Sequence, residues 1–183
     1  MTNNDIFRRL RYVFDFSDKQ IVAIFALADS KVTHEQLHAW FKKEEADGYQ
    51  TLNDTQLAVF LNGLINEKRG KKEGPQPEPE KRLNNNLIFR KLRIALNITD
   101  EGILEVLALA GLEMSKHELS AFFRKPGHKN YRECKDQVLR NFLKGLQNKH
   151  RPAKPSSNPS ASPSSNPKPN PSPWDRAKRK KRD

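Results

Sequence analysis

The stretch "NNDIFRRLRYVFDFSD" at residues 3–18 is written again, lightly edited, as "NNLIFRKLRIALNITD" at residues 85–100. In the first version Ile6, Phe7, Leu10, Val13 and Phe14 fall at i, i+1, i+4, i+7 and i+8. That spacing places them in one wide apolar stripe along an α-helix. Sliding the chain on itself extends the match without gaps from Asn3/Asn85 to Leu64/Leu146, with roughly a third of positions identical. The identical pairs include Ile21/Ile103, Leu37/Leu119, Phe41/Phe123, Leu57/Leu139 and Phe60/Phe142, again at helical spacing. The reading is a duplicated, all-α protein.

Local signals divide each copy into four helices. Ser17 with Gln20 forms a capping box, as do Thr33 with Gln36 and Ser115 with Glu118, and Asn53 or Asp54 opens the fourth helix. The second helix carries "IVAIFALA", apolar on nearly every side, and is expected to be central. Gly63 and Gly145 sit inside the fourth helices, where glycine costs about 1 kcal/mol relative to alanine, so a close helix crossing is expected there. Four helices in about 65 residues make a marginal domain, so the two copies are expected to pack together about a pseudo-twofold axis.

The organisation is then repeat one at 1–69, a linker at 70–83, repeat two at 84–148 and a tail at 149–183. In the linker, "GKKEGPQPEPEKR" favours an extended polyproline path of about 3.1 Å per residue. The tail "RPAKPSSNPSASPSSNPKPNPSPWDRAKRKKRD" has almost nothing apolar to bury and reads as disordered.

The chain of 183 residues has a formal net charge of +12. Residues 148–183 hold ten Lys and Arg against two acidic residues, two thirds of the excess, whereas residues 1–70 come to −1. Cys134 is the only cysteine, which excludes an intramolecular disulfide and suits a reducing compartment. With no apolar leader in "MTNNDIFRRLRY" and no apolar run that could span a bilayer, a cytoplasmic protein without membrane contact is expected.

The duplicated "IFR[RK]LR" pattern, "FLNGLINEKRGKKE" closing copy one and "HKNYRECKDQVLRNFLKGL" in copy two together resemble the YehS family, bacterial proteins built from a tandem domain of unknown function. The resemblance spans roughly residues 1–150 and implies a bacterial cytoplasmic protein with repeated helical architecture. It brings no reaction, cofactor or catalytic residue with it.

No constellation argues for an enzyme, a cofactor or a metal. "HEQLH" at 34–38 matches the zinc-protease pattern H-E-x-x-H, but Lys116 and Ser120 replace its histidines in copy two and no third ligand follows. It is read as accidental. "VLALAGLEMSKHELSAFFRK" resembles a helix-turn-helix, yet its apolar positions fall out of register and its third helix is too apolar to read a groove. Arg8 and Arg11 recur as Arg90 and Arg93 on one helix side. They are read first as ion-pair partners of the recurring Asp18/Asp100 or Asp54/Asp136, with phosphate or partner binding on the repeat surface as the alternative. Trp40, matched by Phe122, and Tyr49, matched by Tyr131, are read as packing.

In the tail, Trp174 precedes Arg176, Lys178, Arg179, Lys180, Lys181 and Arg182, an aromatic for stacking beside six cations for phosphates. The function expected is a non-enzymatic accessory protein that binds RNA, or less readily DNA, through this tail. The competing expectation is a protein-docking module with a solubilising tail.

Overall fold

A computed structural model describes residues 1–151. The tail residues from Trp174 to Arg182 lie outside the described residues. Repeat one consists of α1 (Asn3–Phe14), α2 (Asp18–Leu27), α3 (His34–Phe41) and α4 (Asp54–Arg69). Repeat two follows with α5 (Asn85–Leu96), α6 (Asp100–Leu109), α7 (Lys116–Phe122) and α8 (Asp136–His150), so α8 runs two residues into the stretch assigned to the tail. No other regular element occurs among the described residues.

The helix boundaries follow from capping chemistry. Capping boxes close α2, α3 and α7 as expected, and two more do so at α1 (Thr2 with Asp5) and α4 (Asn53 with Gln56). Helices α1 and α5 both stop at a left-handed residue, Asp15 and Asn97, types that tolerate this conformation. The same left-handed corner follows α2 and α6, filled by Asp29 in one copy and Gly111 in the other.

Four helices run parallel around the pseudo-twofold axis. At one end Asp54, at the start of α4, accepts from Asn3 Nδ2 at 2.8 Å and from the Leu83 amide at 2.9 Å. Its counterpart Asp136, at the start of α8, accepts from Asn85 Nδ2 at 2.8 Å and from the Met1 amino group. Each carboxylate therefore ties the first helix of its own repeat to the residue that leads into the other repeat. At the opposite end, the last residues of α1, α4, α5 and α8 surround one cleft. The chain circuit is α1, α4, α5, α8 and back, with α4 on α5 the more extensive of the two contacts between repeats. Because α4 and α5 are parallel, the linker must run back along α4. A 16-residue helix rises about 24 Å, well within reach of the linker's extended length. The linker is pinned on the way: Asn66 Nδ2 donates to Gln76 Oε1 at 2.8 Å, and Glu80 meets Lys91 at 2.9 Å.

One expectation is corrected. Helix α2 is not central: Ile21, Ile24 and Phe25 are buried, but Ala23 and Ala26 face solvent. Alanine is apolar yet small enough to leave in water at little cost, so an unbroken apolar string need not be enclosed. The central helix of repeat one is α4, where Leu57 through Leu64 are buried except at Val59, against α1, α2 and α5. The glycine expectation holds in both copies. A Cβ on Gly63 would lie 1.9 Å from the Ile24 carbonyl oxygen, and one on Gly145 1.8 Å from that of Val106, so α4 crosses α2, and α8 crosses α6, backbone against helix.

Candidate nucleic-acid interface

The recurring arginines are placed by the first helix of each repeat. Arg11 meets Asp18 at 2.7 Å and lies over the Phe41 ring at 4.3 Å; Arg93 meets Asp100 at 2.8 Å and lies over Phe123 at 4.7 Å. Arg8 donates to the Lys42 carbonyl at 2.7 Å and to Asp5 at 2.6 Å, and Arg90 donates to the Phe123 carbonyl at 2.6 Å. Arg8 and Arg90 hold the main chain where the third helix ends, and Arg11 and Arg93 link the start of the second helix to the phenylalanine at that end. Asp54 and Asp136, the other acceptors considered, are occupied by the asparagine and main-chain contacts at the repeat junctions. The Asp18 carboxyl sits below its ordinary pKa because His38 hydrogen-bonds to it at 3.0 Å, with Arg11 reinforcing the effect against partial burial.

Both helices also carry a buried asparagine whose role the sequence reading passed over. Asn4 donates to the carbonyls of Trp40 and Gln50 and accepts from the Leu52 amide. Asn86 makes the same three bonds to Phe122, Arg132 and Cys134. The signal was on view in the doubled "NN" that opens each helix, a polar residue placed at a core-facing position.

The "HEQLH" histidines sit on α3, with His38 against Asp18. No group of three or more His, Cys, Asp or Glu side chains converges in metal-binding geometry among the described residues. Helices α6 and α7 are separated by six residues, and α7 buries Leu119, Ala121 and Phe122. Trp40 is buried in the core of repeat one. Cys134 is buried too, and desolvation pushes its thiol up to about 12.

Two further groups of cations stand out on the body. The cleft of about 710 Å³ at the common C-terminal end is lined by Lys68, Arg69, His150 and Arg151, repeat-equivalent pairs facing each other across the axis. Four helix C-termini also converge there, each worth about half a negative charge, and Asp15 pairs with Arg151. The His150 pKa is lowered by burial and by Lys149 and Lys68. Three cations against about three negative charges leave this cleft near neutral, so it offers little net attraction to an anion.

The second group lies on α8. Arg140 and Lys144 are exposed on its outer side, whereas their repeat equivalents on α4, Ala58 and Asn62, are buried. The two follow at i and i+4, a step of about 6 Å along one ridge of the helix. Beside the C-terminal end of α8 the Tyr12 ring is half exposed, with the guanidinium of Arg151, the partner of Asp15, 4.5 Å from its centre. The loop before α8 departs in the same direction: Arg124, Lys125, Lys129, Arg132 and Lys135 accompany one acid, Glu133, where the matching loop of repeat one has Lys42 and Lys43 with Glu44, Glu45 and Asp47. The sequence signal for this surface was the position-by-position charge difference between copies.

A family model described as "Protein of unknown function (DUF1456)" matches the chain twice, over residues 3–70 and 85–151. The chain belongs to the DUF1456 family. The two matched segments coincide with the two helical repeats, so the family unit is the four-helix repeat itself. This DUF1456 protein is 46% identical over 147 residues to the uncharacterized protein YehS of Escherichia coli (strain K12), a match covering 80% of this chain and 94% of YehS. No solved structure matches it. No helix among the described residues is long and apolar enough to cross a membrane.

Proposed function

We propose that this DUF1456 protein is a non-enzymatic accessory protein that contacts the phosphate backbone of nucleic acid, RNA in preference to DNA. The observation that carries the reading is the α8 ridge: Arg140 and Lys144 are exposed where the same fold positions in repeat one are buried and uncharged. Cations about 6 Å apart along the helix suit neighbouring phosphates of one strand, and the half-exposed Tyr12 near the end of α8 offers a stacking face. The tail, with Trp174 and the cations Arg176, Lys178, Arg179, Lys180, Lys181 and Arg182, adds sequence-independent attraction by releasing counterions. A preference for single strands follows from using one ridge and one ring instead of a helix seated in a groove.

The test is fluorescence anisotropy with labelled single-stranded RNA and duplex DNA against the full chain over a range of salt. Each neutralised phosphate should contribute about 0.7 to the single-strand salt slope. Arg140→Gln with Lys144→Gln should lower both affinity and slope, as should changing Lys178 to Arg182 to glutamine. Absence of binding to either nucleic acid at physiological salt defeats the proposal. Binding unchanged by the α8 pair removes the ridge from it.

A further inference from the structure

The two copies treat their surface arginines differently, and a cavity lies where they differ. In copy one Arg8 is matched with Asp5 at 2.6 Å, and Arg151, which reaches across from the end of α8, is matched with Asp15. The fold-equivalent arginines are Arg90 of copy two and Arg69, which reaches across from the end of α4 in copy one, and the positions of the two carboxylates are held by Leu87 and Asn97. Neither Arg90 nor Arg69 takes part in an ion pair among the described residues; Arg90 keeps only its bond to the Phe123 carbonyl. Both line a cavity of about 620 Å³ between α4 and α5, closed on one side by the linker. Its apolar wall is Ile65, Leu87 and Ile94, the last 46% exposed with no partner on the surface. Glu80, from the linker, uses Oε1 for Lys91, while its Oε2 is buried without a hydrogen-bond donor.

We propose that this linker-walled cavity binds a small amphipathic organic anion carrying a hydroxyl group. Arg69 and Arg90 hold the anionic head, the apolar body lies on Ile65, Leu87 and Ile94, and the hydroxyl donates to Glu80 Oε2. The cavity is within the range usual for small-molecule sites, which combine an apolar wall with a few placed polar groups. Losing the two carboxylates does two things together: it frees the guanidinium groups for an outside anion, and the Asp5-to-Leu87 exchange supplies part of the wall. The site is separate from the α8 ridge and needs no nucleic acid.

The experiment is calorimetric titration of the full chain with 3-hydroxydecanoate, with 1,3-decanediol as the uncharged probe and amide chemical-shift mapping to locate the contact. Saturable one-to-one binding of the acid, at least tenfold tighter than the diol, with shifts centred on α4, α5 and the linker, is the expected result. Restoring the copy-one carboxylates with Leu87→Asp and Asn97→Asp should weaken binding tenfold or more at an unchanged thermal midpoint. Arg69→Gln, at an exposed position, should weaken it without touching the Arg90 main-chain bond. No saturable binding, equal affinity for the diol, or affinity unaffected by Arg69→Gln overturns the proposal.

Discussion

Arg11 and Asp18 show how a surface charge pair is read in this molecule. The carboxylate is three-quarters buried and the guanidinium about two-thirds, so their attraction is only partly screened, yet such pairs rarely exceed about 1 kcal/mol. The Asp18 pKa is depressed in the folded chain, chiefly by His38. A depressed acid contributes stability above the pKa of the unfolded carboxyl, about 3.9, and loses it as pH falls through the lower folded value. We expect Asp18→Asn to unfold at lower urea than the parent at pH 7 and to converge with it in acid, once pH has fallen through that lowered folded value. Parallel curves at both pH values would show that the pair contributes nothing. The arginines and their aspartates could be listed from the repeat, but two aspartate pairs were open as acceptors, and sequence spacing cannot say which lies within 3 Å. Asn4 and Asn86 were less legible still, because their partners lie 36 to 48 residues away and are main-chain atoms, which carry no sequence signature.

At the scale of the element, helix start signals were readable because capping is local: the side chain and the amide it bonds are three residues apart. Burial was less so. The string "IVAIFALA" fixes α2 as a helix, but which side meets α4 depends on the crossing at Gly63. We expect Gly63→Ala and Gly145→Ala each to lower the thermal midpoint despite alanine's advantage of about 1 kcal/mol in a helix. The new Cβ would meet a main-chain oxygen that moves only if the whole crossing helix moves. A midpoint raised by either change would show that the crossing can open at no cost. The α8 ridge belongs to this scale too, since Arg140 and Lys144 gain meaning only when set against the buried Ala58 and Asn62 of α4.

At the scale of the molecule, the buried side chains of both repeats form one continuous cluster. Asp54 and Asp136 cross-tie the repeats at one end, and four helix C-termini share a neutralised cleft at the other. We therefore expect a single cooperative unfolding transition. Trp40 fluorescence in a Trp174→Phe background, which reports repeat one, should coincide with helical circular dichroism, which reports both. Two separated transitions would mean that the repeats fold independently. By itself the sequence determined the helical class, the duplication, most helix starts and the glycine crossings, because each rests on periodicity, self-similarity or contacts within one turn. Only the tertiary structure decided that four helices run parallel about the axis, that α4 and not α2 is enclosed, and that Arg69 and Arg90 are left facing a cavity. Those outcomes depend on which surfaces meet between elements distant in the chain, and the same local pattern is compatible with many such meetings.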